Sequence, residues 1–255
     1  MNRLAAFLAP LTLVTAILLG WELACRWMSV PVYLLPSPSA IAASIAVDWS
    51  PLAAAAWTTL SMALTALVIA SVCACLLALL GGLNPLIEQA VQPIAVTVQV
   101  TPVVAIAPLV MIWTGLEHPG RAITILATIV AFFPIYSGAA AGLRAADPDL
   151  ERLFDLYGAS RWQKLIRLRL PSAVPFMVEG HKVATALAVI GAVVAEFVAG
   201  SGGAQGLAWR IIESANRLQT ARVFAALVVL AVMATLLYAL VTVAERRILA
   251  WWSGR

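Results

Sequence analysis

The chain has 255 residues, 63% of them hydrophobic and only 11% charged, with a mean hydropathy of +0.97. A soluble domain of this length does not need that much apolar surface, which excludes the water-soluble classes. The formal net charge of +4 mostly reflects membrane topology and gives no sign of a nucleic-acid surface.

A bilayer core about 30 Å thick is crossed by roughly 20 apolar helical residues, so charge-free runs of that order mark spans. The runs lack the alternation of a barrel, which leaves helices as the spanning element. The first run is Leu4 to Trp21. Arg3 before it and Cys25 behind it also fit a cleaved lipoprotein signal, but Glu22 stands where that cleavage box wants an aliphatic residue, and the run reads as a span. Glu22 itself reads as interfacial. Ser29 to Pro51 is a Pro- and Ser-rich outer connection. A short interfacial helix is expected over Ser39 to Val47, with Trp27, Tyr33 and Trp49 suited to an aromatic belt. The second run is Trp49 to Ile87, in which Cys73 and Cys75 read as small packing residues. The third, Gln89 to Leu116, carries Pro93, Pro102 and Pro108, and the fourth, Ala122 to Leu143, carries Pro134; each proline is expected to kink its helix. A fifth, about Pro175 to Ala199, contains Glu196. After a glycine-rich outer connection from Gly200 to Ala221, expected to be flexible enough to meet an external partner, the last run is Val223 to Ala244. The expected architecture is an all-α integral membrane domain over 1–255 with six transmembrane helices, outer loops at about 26–57 and 200–221, and an inner segment at about 144–174.

Charge asymmetry orients it. With both termini cytoplasmic, the inner side holds Arg3, the six bases from Arg144 to Arg169, and Arg246, Arg247 and Arg255, while the outer side holds Arg26, Arg121, Arg210, Arg217 and Arg222. Ten bases against five follow the positive-inside rule. The weak point is Gly81 to Gln92, an inner loop with no base and one acid, Glu88.

The inner segment is the most informative part. Asp147 is a good N-cap, Pro148 fits the first helical position, and Asp149 and Glu151 suit the first turn. Leu150, Leu153, Phe154 and Tyr157 form one apolar stripe, and Gly158 can end the helix in the left-handed region. Ser160 with Gln163 is a capping box that opens a second helix, with Trp162, Leu165 and Ile166 on one face and Pro171 as its stop. The spacing predicts two short amphipathic helices around a glycine, fixed between two spans. A DNA-binding helix-turn-helix would lack room for its supporting helices. On periodicity alone the pair fits an ordinary interfacial loop as well as a docking element.

Residue phrases decide between these. Gly158, followed after nine residues by Leu168 and then Arg169, Leu170 and Pro171, resembles the cytoplasmic coupling motif of permease subunits of binding-protein-dependent ABC importers, whose pattern is EAA, three residues, G, nine residues, I, one residue, LP. LLPSPSAI (Leu34 to Ile41), GASRWQKL (Gly158 to Leu165), LPSAVP (Leu170 to Pro175), AVVAEFV (Ala192 to Val198) and AERRILAWW (Ala244 to Trp252) are similar to the nitrate, sulfonate and taurine branch of that family. The EAA positions here are Arg152, Leu153 and Phe154, a departure that puts any contact of that glutamate in doubt. The resemblance implies the type I importer permease fold. It also implies a coupling helix seated in a groove of a separate cytoplasmic ATPase, two such ATPases using ATP and Mg, a periplasmic or lipid-anchored binding protein, and a second permease copy, most simply as a homodimer. The expected contacts with the ATPase are Leu153, Phe154 and Tyr157 as apolar surface, Gly158 and Ala159 as the turn, Arg161 as a polar contact, and Leu170 and Pro171 as the LP frame. For Phe154 and Tyr157 the competing reading is packing beneath their own membrane domain. The chain has no G-x-x-x-x-G-K-[ST] loop, so ATP hydrolysis is assigned to the partner, and the chain is a transporter subunit with no cofactor or metal of its own.

In the fifth span, Ala184, Ala188, Gly191, Ala192, Ala195 and Ala199 form a small-residue stripe, read first as a packing seam and second as a pathway lining. Glu196 within it should face protein or water rather than lipid, to bond a neighbouring helix, to gate a pathway or to touch substrate, in that order. His181 reads as lying at the inner water boundary rather than as a metal ligand. GHKVATALAVIGAVVAEF and LQTARVFAALVVL are more similar to members of the branch for pyrimidine-type thiamine precursors or riboflavin than to those for taurine and alkanesulfonates. An intramembrane serine protease is disfavoured because His181 and Ser201 lie near opposite faces. A secondary transporter is disfavoured because neither an inverted repeat nor paired midplane charges are evident.

Overall fold

The computed structural model describes residues 3–115, 117–199, 205–252 and 254, with side chains from residue 11 onward. Every regular element among them is helical: α1 (Arg3–Trp27), α2 (Pro38–Val47), α3 (Trp49–Leu83), α4 (Pro85–Val100), α5 (Val103–Thr114), α6 (Pro119–Arg144), α7 (Pro148–Leu156), α8 (Arg161–Lys164), a π-turn (Leu165–Arg169), α9 (Leu170–Ala199), α10 (Leu207–Asn216) and α11 (Thr220–Trp252). Among the described residues, four helical stretches are long and apolar enough to cross a membrane: α3, α6, the run Arg161–Ala199 and α11. A fifth is added if α4 and α5 form one span.

The helix starts share a local grammar. Ser37–Pro38, Asn84–Pro85 and Asp147–Pro148 each place a side-chain acceptor ahead of a proline that needs no N–H, and the acceptor takes the amide of Ala40, Leu86 and Asp149 respectively.

The third run is not one kinked helix. Thr101 is extended, at φ −71° and ψ 124°, and α4 and α5 diverge by 101° across it. The ring of Pro102 crowds the residue before it out of helical geometry, so α4 ends at Val100, whereas Pro93 and Pro108 stay inside their helices. Pro171 is a second correction. It does not stop the helix begun at Ser160, because the chain runs through the π-turn directly into α9. The amide of Leu170 bonds the carbonyl of Leu165, five residues back. This wider turn lies just before a ring that has no N–H to satisfy and would otherwise clash with the preceding turn. The expected second short helix is thus the first turn of a 39-residue stretch.

Two compact units are present. One comprises residues 1–57 and 205–231, the other 58–204 and 232–255. In the first, the Glu22 carboxylate accepts from the Ser39 amide at 3.0 Å and its hydroxyl at 2.8 Å, tying α1 to the start of α2. Arg222 pairs with Asp48 at 2.8 Å, and the Thr220 hydroxyl donates to the Tyr33 carbonyl at 2.7 Å. The expected flexible outer connection is a correction, since much of it is the helix α10 with Leu207, Ala208 and Ile211 buried; Gly200, Ser201, Gly202 and Gly203 lie outside the described residues.

The second unit is organised by α6 against α9, which touch backbone to backbone. A Cβ on Gly180 would lie 2.6 Å from the Pro134 carbonyl oxygen, one on Gly138 2.7 Å from that of Phe176, and one on Gly142 2.8 Å from Ala173 Cα. In lipid there is no hydrophobic force between helices, so close contact of small residues holds such a pair through dispersion. Ala70, Ala74 and Ala78 of α3 and Ala95 of α4 join the same core.

Candidate functional site

The inner segment folds from its own caps. α7 starts on Asp147 and closes through Tyr157 N–H to the Leu153 carbonyl (3.1 Å) and Ala159 N–H to the Phe154 carbonyl (2.9 Å), with Gly158 at φ +67°. The capping box is present: the Ser160 amide donates to Gln163 Oε1 at 2.8 Å, and the Gln163 amide to Ser160 Oγ at 3.2 Å. No residue of α7 is buried. Leu150 and Leu153 are exposed, Leu156 and Tyr157 are 84% and 83% exposed, and Trp162 stands exposed beyond the turn. Phe154 and Ala159 are half-buried. Packing beneath the chain's own membrane domain is therefore not the role of Tyr157. Charged groups surround this apolar knob: Arg152 with Asp149 at 3.0 Å, Lys164 with Asp155, and an exposed Arg161. Exposed apolar side chains rimmed by charge mark a surface that meets either another protein or a membrane.

Leu156 lies off the stripe of Leu150, Leu153, Phe154 and Tyr157 that the 3–4 spacing marks, and it adds to the exposed apolar surface of α7. Leu165 departs from the expected face as well, being 2% exposed and part of the core cluster that includes Ala78 and Leu143. Leu170 is half-buried and Pro171 exposed, both within the continuous helix. Glu88, the unmatched acid of the Gly81 to Gln92 turn, pairs with Arg144, so this turn meets the basic end of α6.

The small-residue stripe lies in the packing seam. Ala188, Gly191 and Ala192 are buried, and a Cβ on Gly191 would stand 3.0 Å from Ala127 Cα. Glu196, 2% exposed, accepts a hydrogen bond at 2.6 Å from the hydroxyl of Thr59 on α3. That is the first of its three expected roles. Nothing in the sequence pointed to Thr59, which is 137 positions away. Lys182 pairs instead with Glu179 at 3.1 Å and Glu245 at 3.4 Å, and His181 Nδ1 lies 2.7 Å from the Met177 carbonyl. Among the described residues no group of His, Cys, Asp and Glu is arranged to hold a metal ion.

Long apolar helices with a capped, charge-rimmed apolar turn held between two of them fit a multi-pass membrane protein. Residues 70–250 match the family described as the binding-protein-dependent transport system inner membrane component, and the chain belongs to it. It is 32% identical over 253 residues to the formylaminopyrimidine transport permease ThiX of Halalkalibacterium halodurans, covering 98% of each chain. It is also 32% identical over 258 residues to the riboflavin transport system permease RibX of Chloroflexus aurantiacus, covering 95% of this chain and 89% of that one. To the taurine transport system permease TauC of Escherichia coli it is 27% identical over 247 residues, covering 94% and 88%. The chain is an ABC importer permease of the inner membrane, and its relatives are permease subunits rather than enzymes.

Proposed function

We propose that this permease forms the membrane pathway of an importer driven by two cytoplasmic ATPases, which use ATP and Mg, and supplied by an external binding protein. The observation that carries the reading is the exposed knob of Leu153, Leu156 and Tyr157 around Gly158, on a helix with no buried residue of its own. Leu153, Phe154 and Tyr157 meet the ATPase groove, Gly158 and Ala159 set the turn, Arg161 adds a polar contact, and Leu170 and Pro171 frame the return into the membrane. Six spans, with α1 first and α4–α5 third, put both termini in the cytoplasm. Two copies enclose the pathway as a homodimer. The substrate is a small solute, and similarity to permeases named for formylaminopyrimidine and riboflavin favours a pyrimidine-type thiamine precursor or riboflavin over a sulfonate, taurine or nitrate. A pull-down of the tagged chain in mild detergent, with mass spectrometry of what remains bound, is expected to recover a stoichiometric ATPase. Its absence across several detergents would overturn the reading.

Glu196, with Ala188, Gly191 and Ala192 behind it, is proposed to hold the pathway closed through Thr59. Glu196→Gln keeps an acceptor for the Thr59 hydroxyl, so insertion and assembly are expected to survive while uptake falls. Glu196→Ala and Thr59→Val should lose more, on the scale of an interhelical bond in membranes, about 0.6–2 kcal/mol. Unchanged uptake in all three would reduce Glu196 to packing.

A further inference from the structure

Arg169, the last residue of the π-turn, reaches two other elements at once. Its Nε donates to Glu151 Oε1 of α7 at 2.6 Å, and its Nη1 donates to the Gly82 carbonyl of α3 at 3.2 Å. Gly82 lies in the final turn of α3, where carbonyls lack a helical successor and the helix dipole favours a cation. Packing fixes the approach. Leu165 and Leu168 anchor the π-turn, and a Cβ on Gly82 would come 3.1 Å from Leu165 Cδ1. Beside it, Arg144 and Glu88 line the same small cleft as Gly82 and Arg169.

No residue of α7 is fully buried, although Phe154 is half-buried, and its side-chain ties to other elements among the described ion pairs are Glu151–Arg169 and Asp155–Lys164. The second runs only to α8, the next turn of chain. The first is the tie that continues into α3. From this we infer that Arg169 is a positioning residue which passes displacement of α7 to the end of α3 and the start of α9. A planar guanidinium supplies the two differently directed donors that this bridge uses, and a lysine ammonium matches that geometry poorly. The inference rests on the ATPase-driven reading of α7. Against it stands the view that Glu151–Arg169, about one-third exposed on each side, is an ordinary surface pair of little consequence.

Hydrogen exchange on the full chain purified with its ATPase separates the two, using ATP with vanadate as the probe. In the wild type, trapping is expected to change exchange at 148–157 and also at 80–88, by about 5-fold or more at each, the usual lower scale of coupling between sites. In Arg169→Gln and Glu151→Gln the response at 148–157 should persist while that at 80–88 falls below half, with Arg169→Lys between. Exchange in 232–250 reports whether each variant is folded, and Glu151→Gln carries the test if Arg169→Gln fails to assemble. A wild-type response at 80–88 in Glu151→Gln overturns the inference alone. A wild-type chain that retains no ATPase, or whose 148–157 region ignores ATP and vanadate, overturns the functional reading and the inference with it.

Discussion

Gly158→Val is expected to abolish transport and substrate-stimulated ATP hydrolysis while leaving the permease inserted and assembled. Gly158 sits at φ +67° with nothing within 4 Å of where a Cβ would stand. A side chain therefore meets no clash, and the whole cost is conformational: roughly 1–2 kcal/mol for an ordinary residue in the left-handed region, and more for a β-branched one. That cost is small beside the stability of the membrane domain but large for a nine-residue helix with no buried residue. The turn should open, and Leu153, Leu156 and Tyr157 should lose their common presentation. Asparagine tolerates this region, so the order of activity should be Gly, Asn, Ala, Val. Uptake and stimulated ATPase measured on that series, against detergent-stable assembly, check it; full transport by the valine variant would remove the turn from the coupling mechanism.

The largest loss of stability is expected at Gly180. A Cβ there would lie 2.6 Å from the Pro134 carbonyl oxygen, in the interior of α6 and unable to rotate away, and the facing Gly138 is just as tight. Even Gly180→Ala has to force α6 and α9 apart along the seam that also includes Gly142 and Gly191. Overpacking usually costs about 1–3 kcal/mol, and more where the obstacle is backbone. Gly180→Leu should yield almost no folded permease, read as lost monodisperse protein in detergent and lower abundance in membranes. Gly120 is the control: a Cβ there meets only the Met62 sulfur, at 3.9 Å, so Gly120→Ala should express normally.

What could be read in the sequence was what short stretches decide for themselves. Asp147–Pro148, Gly158 and the Ser160–Gln163 box act within four residues, and the turn they predict is present. Asn84–Pro85 carries the same signal at the start of α4. The break at Thr101 was legible only as a kink, because a proline alone does not tell whether its helix bends or ends. The π-turn has no sequence mark, so Pro171 looked like a stop. The stripe Ala184 to Ala199 showed that something packs closely against α9, but identifying α6 required the facing glycines Gly138 and Gly142. Thr59 with Glu196 and Arg169 with Gly82 join residues 137 and 87 positions apart, and only the tertiary arrangement brings them together.

The extended joint between α4 and α5 has a solvation requirement. The Thr101 amide and hydroxyl both turn back to the Thr97 carbonyl, at 3.1 and 2.7 Å, so the carbonyls of residues 98–100 and the first amides of α5 have no next helical turn to receive them. Val100, Pro102 and Val104 around this joint are exposed on the single chain. Hydrocarbon offers neither donors nor acceptors, and non-helical backbone persists at membrane depth only against protein or water. If α4 and α5 make one span, this joint cannot face acyl chains: the isolated subunit is chemically incomplete there, and a neighbouring polypeptide or a wetted passage has to finish it.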